Sequence, residues 1–268
     1  MACFSLSDAL AKQIAGMSAV EIAWFRYMFL LVSVMPVALV RPATWKTARP
    51  VLELGRALAM VMSAVLFLIG LQLIPIAEAT AMSYASPLYV TLLAMALLGE
   101  PMTLRRWTPL LLGFAGVVIV VRPGTSSFGG AEVFPLASSM AWAVAVILTR
   151  KISATDSIAT TMLYTALIGE LVLTVMLPTM DADLVTRASP KLIGMAAAWC
   201  VAQWLVVAAY RAAAPSTIAP FSYSQLIWAG LLGYGLFRHV PDAISLVGMA
   251  VILSSALYAA WLTRQSPV

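Results

Sequence analysis

Charge is what this sequence has least of. Lys, Arg, Asp and Glu together make up 10% of its 268 residues, against about 25% in an average soluble domain. A water-facing surface cannot be built from so few charges without large apolar patches, and such patches aggregate. Histidine is scarcer still: His239 is the only one, and it falls in a connecting segment. That excludes an H-E-x-x-H zinc helix, and no G-x-S-x-G elbow is present either. The two cysteines, Cys3 and Cys200, sit in separate apolar runs far apart in sequence and form no cluster. A membrane-embedded enzyme would need one of these arrangements, so no enzyme, metal or cofactor is expected. The sixteen basic residues give a net charge of +5. They are scattered between apolar runs, not gathered into a stripe, which excludes nucleic acid as a partner. The opening stretch MACFSLSDALAKQIAG has no basic leader and carries Asp8 and Lys12 inside, which argues against a cleaved signal peptide.

What the sequence does have is apolar runs. Hydrophobic residues make up 62% and the mean hydropathy is +0.97. A helix that crosses a bilayer needs roughly 20 apolar residues. Ten runs are delimited by charges, prolines and glycines: Ala2 to Ala15, Glu21 to Val40, Leu52 to Leu73, Ile76 to Leu98, Trp107 to Val121, Val133 to Thr149, Ile158 to Leu177, Leu192 to Tyr210, Ile218 to Phe237 and Ala243 to Leu262. The first is short for a full span. The runs are too continuous for barrel strands, which alternate over about 10 residues. The fold expected is therefore all-α and integral to the membrane, with about ten transmembrane helices. With the N-terminus in the cytoplasm, ten basic residues fall inside, among them Arg41, Lys46, Arg49, Arg150 and Lys151. Four fall outside: Arg122, Arg187, Lys191 and Arg238. That bias puts both termini inside and the Asp181 to Pro190 loop outside.

The Gly/Ser-rich linker from Gly124 to Gly130 separates five runs from five. Ser83-Tyr84-Ala85-Ser86-Pro87 matches Ser222-Tyr223-Ser224-Gln225 in position, and Gly99-Glu100-Pro101 matches Arg238-His239-Val240-Pro241. Five is odd, so a second copy enters the membrane inverted, the design of many transporters with binding near the midplane. Residues 1–123 and 131–264 are accordingly expected to be two inverted five-helix repeats around a central cavity.

Ser86-Pro87, then Gly99-Glu100-Pro101, then Gly113 and Gly116, with the Asp8-Ala9-Leu10-Ala11-Lys12 run, Arg26 early in the second run and the degenerate second copy, resembles the EamA-type members of the drug/metabolite transporter superfamily. The resemblance covers essentially the whole chain. It implies a basket in which spans one to four and six to nine enclose a cavity while spans five and ten buttress it. It also implies a secondary transporter of the cytoplasmic (inner) membrane that moves a small metabolite or drug-like solute by alternating access. Relatives move amino acids, nucleotides, vitamins such as riboflavin, and cationic drugs. Where the second copy usually carries Gly-Glu, this chain has Arg238-His239, so no role rests on an acid there. A channel or a structural membrane subunit is the alternative. The partners expected are a small-molecule substrate and membrane lipid, with a homodimer left open.

Charge inside lipid costs about 2.5–3.5 kcal/mol per residue on insertion scales, so each case needs a reason. Asp8 and Lys12 stand at i and i+4 on one helical face, as a self-neutralising pair or as a polar cavity wall. Arg26 either reaches for the interface or binds an anionic group; Glu21 is poorly placed to pair with it. Glu78 reads as a helix-start carboxylate near the outer surface. Glu170, deep in the seventh run, is a candidate for proton coupling or a neutral structural residue. Tyr84, Gln203, Trp204, Tyr223, Gln225 and Trp228 are candidate cavity groups, and Pro87 breaks its helix and frees a carbonyl beside them. Gly113 with Gly116, and Gly230 with Gly233, read as close-packing faces.

Overall fold

The computed structural model describes residues 1–98, 104–124, 129–152, 155–177, 182–212 and 223–265. The Gly99-Glu100-Pro101 motif, residues 125–128 of the linker, Asp181, the expected start of the ninth run and the side chains of Arg105, Arg106, Arg211 and Arg264 lie outside them. The described residues form helices joined by turns: α1 (Ala2–Lys12), α2 (Ala19–Val40), α3 (Pro50–Leu73), α4 (Ile76–Ser83), α5 (Ser86–Leu98), α6 (Leu104–Val121), α7 (Val133–Ile152), α8 (Ile158–Met176), α9 (Ala182–Ala212), α10 (Ser224–Phe237) and α11 (Ala243–Gln265), with a 3-10 turn at Pro42–Trp45. Six segments are long and apolar enough to cross a membrane: Ala19–Val40, Pro50–Leu73, Ile76–Leu97, Val133–Ile152, Ile158–Met176 and Ala243–Leu262. Trp107–Val121 is a shorter apolar helix. At about 1.5 Å per residue, the 11 residues of α1 reach only half-way through a hydrocarbon layer about 30 Å thick.

Local chemistry sets the helix ends. At the start of α2 the Ser18 hydroxyl accepts from the Glu21 N–H at 3.2 Å, and the Ser18 N–H donates to the Glu21 carboxylate at 2.6 Å, a reciprocal cap. That bond uses up Glu21 and keeps it from Arg26. Pro50 stands in the first turn of α3, where its missing N–H costs nothing. At the other end of α3, Ile74-Pro75 turns the chain into α4. The fourth run is not one helix: it breaks at Tyr84-Ala85, just ahead of Pro87, because proline disfavours a helical residue before it and removes a ladder donor. The expected outer loop from Asp181 to Pro190 is also different, since α9 begins at Ala182 and runs through Pro190. Arg238 ends α10 in the left-handed conformation, φ 53°. This is where the resembling pattern places a glycine, the residue that takes this conformation without strain.

The halves of the chain interlock. Helix α3 packs on α7 and α8, and α9 packs on α1 and α2. Helix α2 meets α8, α4 meets α10, and α6 meets α11, while α1 lies on α10 and α4–α5 lies on α7. The α6–α11 seam is a close approach. A Cβ on Gly116 would lie 2.7 Å from the Gly248 carbonyl oxygen, and one on Gly113 would lie 2.8 Å from the Ser255 hydroxyl. Gly116 thus meets Gly248 backbone to backbone and Gly113 seats the Ser255 side chain, as small residues allow in helical membrane proteins. A Cβ on Gly233 would lie 3.2 Å from Ile76 of α4, but one on Gly230 would meet no described residue within 4 Å, and Gly230 borders an apolar groove of about 540 Å³ between α10 and α11. The close packing expected at Gly230 is absent.

Candidate functional site

Residues 13–18, with Gly16 at φ 89°, turn the chain between α1 and α2. Asp8 lies one turn before the end of α1 and Arg26 two turns into α2, and the turn lets the two side chains meet. The Arg26 guanidinium donates to the Asp8 carboxylate at 2.9 Å, and the two residues are 3% and 4% exposed. This corrects the local reading: Asp8 does not pair with Lys12, and Arg26 does not reach for the interface. An arginine never sheds its charge, so a buried partner is the way to hold it in an apolar bundle. The Gln225 side chain of α10 is within hydrogen-bonding reach of the Asp8 carboxylate. The Ser5 hydroxyl donates to the Gln225 carbonyl at 3.1 Å. Three helices from both halves therefore meet at one charged pair.

Around that pair polar capacity is left over. Arg26 Nε, Ser7 Oγ and Tyr27 Oη are buried and have no hydrogen-bond partner among the described residues. Buried polar atoms are nearly always satisfied, so the unpartnered N–H of the paired guanidinium itself marks a place for water or ligand. Ser7 and Tyr27 escaped the sequence reading, although each is the chain neighbour of a residue that did not. On the α4–α10 side, the rings of Tyr84 and Tyr223 stack with centroids 4.7 Å apart and an interplanar angle of 16°. Both stand at helix ends, Tyr84 closing α4 and Tyr223 opening α10.

The remaining candidates scatter. Lys12 donates to the Leu71 and Ile74 carbonyls at 2.5 and 2.7 Å, closing the end of α3 in the way basic side chains do. It lines a cleft of about 240 Å³ with Pro75, Gly233 and His239. The Trp204 N–H donates to the Ser33 hydroxyl at 3.1 Å and ties α9 to α2. Gln203 is half-buried on α9. The Pro87 carbonyl already accepts the Thr91 hydroxyl at 2.8 Å. Trp228 is 44% exposed beside Ile227 and Leu231 on the outer stripe of α10, away from the charged pair. Glu170 follows Gly169 on α8, half-buried, and its Oε2 lacks a partner among the described residues.

Two further polar clusters tie the halves at opposite ends of the bundle. At the end that carries Arg41, Lys46 and Lys151, the Arg56 Nε donates to the Thr149 hydroxyl at 2.7 Å and its Nη1 donates to the Thr165 hydroxyl. The Thr161 hydroxyl donates to Glu53, a fully buried residue, at 2.7 Å. Glu53 and Arg56, at i and i+3, are the signal that sequence reasoning passed over. At the other end the His239 ring meets the Glu78 carboxylate at 3.0 Å. Nearby, Arg122 at the end of α6 pairs with Asp242 at the start of α11. The Arg122 guanidinium, helped by the Ser245 hydroxyl and N–H, holds the Asp242 carboxyl well below the usual carboxylate range.

Known proteins of similar sequence agree in kind. The chain is 24% identical over 269 residues to an S-adenosylmethionine uptake transporter of Rickettsia prowazekii (strain Madrid E), covering 98% of this chain and 90% of that one. It is 28% identical over 276 residues to a riboflavin transporter of Vibrio cholerae serotype O1, covering 98% and 91%. A crystal structure with 18% sequence identity superposes with a TM-score of 0.61 over 98% of this chain and 96% of that one, a likeness of fold. These relatives are transporters, not enzymes, and with the apolar helices they make this a multi-pass membrane protein. Residues 1–122 match the EamA-like transporter family.

Proposed function

We propose that the protein is a secondary transporter of the cytoplasmic membrane that carries a small organic solute by alternating access, with residues 1–123 and 131–264 as inverted five-span repeats. The observation that carries this reading is the pattern of helix contacts. Exchange α1 with α7, α2 with α8, α3 with α9, the α4–α5 span with α10, and α6 with α11. The main contacts between the halves then map onto one another: α3–α7 becomes α9–α1, α3–α8 becomes α9–α2, and α1–α10 becomes α7 on α4–α5. Contacts α2–α8, α4–α10 and α6–α11 map onto themselves. A two-fold axis in the membrane plane has this effect, and a solute site near that axis can face either side. The Asp8–Arg26 pair and its unpartnered neighbours are the solute-facing groups. The end rich in Arg and Lys faces the cytoplasm, following the positive-inside rule.

Counterflow tests the reading. Liposomes containing the purified protein are loaded with unlabelled S-adenosylmethionine or riboflavin, the solutes of the named relatives. Labelled solute outside should then accumulate transiently above equilibrium. Equilibration without overshoot, together with ionic conductance, would identify a channel and defeat the proposal.

Glu170 belongs to the same measurement. Its carboxyl is only half-buried and lies one residue from the glycine that seats Tyr27. The polar residue one turn along α8, Thr174, already accepts from the Trp24 indole N–H at 2.9 Å, so we assign Glu170 a structural role. Glu170→Gln, which keeps the volume and one hydrogen-bonding oxygen, should leave both counterflow and pH-driven uptake within about twofold, an energy change of about 0.4 kcal/mol. Loss of pH-driven uptake with intact counterflow would instead make Glu170 the proton-coupling group.

A further inference from the structure

We infer that Tyr84 and Tyr223 are the two jaws of a clamp that takes the planar heteroaromatic ring of the solute between them, with the polar chain attached to that ring directed at Gln225, Asp8 and Arg26. The inference rests on the transporter reading and names the substrate class of the same site.

The two tyrosines come one from each half of the chain and hold matching positions in the Ser83-Tyr84 and Ser222-Tyr223 pairs. Both sit where helix stops: Tyr84 between α4 and α5, Tyr223 ahead of α10. Backbone outside a helix is tolerated at membrane depth only where protein covers it or where it lines a cavity. Both side chains are half-buried, unlike Tyr27, which is sealed completely. Small and aliphatic side chains, Ala81, Ala85 and Leu226 among them, belong to the apolar cluster against which both rings pack. Two residues beyond Tyr223, the Gln225 side chain reaches Asp8. The unpartnered Arg26 Nε adds a donor for a polar chain.

The spacing says which state this is. Carbon atoms in contact stand about 3.5–4 Å apart, so a ring sandwiched between two others needs about 7–8 Å between the outer pair. The tyrosine centroids are 4.7 Å apart. The jaws are therefore closed on each other, and each ring fills the other's binding face until a third ring enters. Because one jaw belongs to each half, movement of the halves that parts the jaws also releases the ring. Stacking of this kind tolerates different rings, since every planar heteroaromatic presents a π-face.

The purified full chain is titrated with riboflavin, whose fluorescence is quenched on stacking, and adenosine and methionine are used as competitors. Quenching that adenosine reverses and methionine does not is the expected result, and this wild-type readout needs no variant. Tyr84→Leu and Tyr223→Leu should each weaken riboflavin binding by about tenfold or more, while Tyr84→Phe and Tyr223→Phe stay within about threefold, because the ring and not the hydroxyl does the stacking. Leu variants that bind like the wild type, methionine competing as well as adenosine, or no binding of either ring compound would each overturn the clamp. The two readings fail separately. Ring binding without counterflow of any solute would defeat the transporter and leave the clamp; counterflow of a ringless solute, unchanged by either Leu substitution, would do the reverse.

Discussion

Asp8→Leu is expected to abolish counterflow and to destabilise the protein by about 3–5 kcal/mol, the usual result of removing one partner from a buried ion pair. Arg26→Met should also stop transport but cost less stability. The asymmetry is chemical. Without Asp8 the Arg26 guanidinium stays charged in an apolar bundle, since no accessible pH neutralises it. Without Arg26 the Asp8 carboxyl can take up a proton and stay in the bundle as a neutral acid. The double variant Asp8→Leu/Arg26→Met removes both charges at once. Replacing a buried pair by apolar residues of similar volume is often neutral, so its stability should return close to wild type. Its transport should not, because the groups that face the solute are gone. Thermal unfolding in detergent and counterflow in liposomes give the two readouts. A double variant that regains transport would show that the pair only holds α1 against α2 and takes no part in binding.

That experiment turns on a pairing the sequence could not display. Sequence spacing exposes neighbours on one helix, so Asp8 and Lys12 at i and i+4 look like partners. The true partner, Arg26, is brought in by a turn, and Lys12 is drawn instead to the open carbonyls at Leu71 and Ile74. The ends of α2, α3, α7 and α8 were legible for the opposite reason. Lipid leaves no alternative to a continuous helix, so a run bounded by charge, proline or a capping serine has only one structure to adopt. Which way a residue faces was much less legible. In a half-buried soluble helix, polarity alternates and reveals the inner face. In α10 nearly every position is apolar, so nothing separates Trp228, on the outer stripe, from Leu226, in the core. The same uniformity hid the open space at Gly230. Pro87 did announce a break, yet the stack it permits between Tyr84 and Tyr223 needs the other half of the chain in place.

Gly169→Ala is the single-methyl change with the largest expected effect outside the charged pair. A Cβ at Gly169 would lie 2.2 Å from Tyr27 Cδ1 and 2.3 Å from Cε1, far inside van der Waals contact, with Val61 at 3.2 Å on its flank. A flexible side-chain end could swing clear, but this is a ring, fully buried and backed by Trp199 at a centroid distance of 5.6 Å. Either α8 moves away from α2 or the Tyr27 ring moves, and Arg26 is its chain neighbour. Overpacking commonly costs about 1–3 kcal/mol, and a clash with an immobile ring belongs at or above the top of that range. Counterflow should fall along with stability because the shift reaches the ion pair. Gly230→Ala is the matched control. It adds the same methyl where no described residue lies within 4 Å, and it exchanges glycine for the best helix former, a gain of up to about 1 kcal/mol in an exposed helix. Its melting temperature should hold or rise. Tyr27→Leu in the Gly169→Ala background should recover part of the loss, since the ring that collides is gone, even though Tyr27→Leu alone opens a cavity. A non-additive rescue of this sign is the signature of two groups in direct contact. Strictly additive losses in the double variant would mean that the Gly169 methyl acts somewhere other than on Tyr27, and the link from α8 through the ring to Arg26 would fall with it.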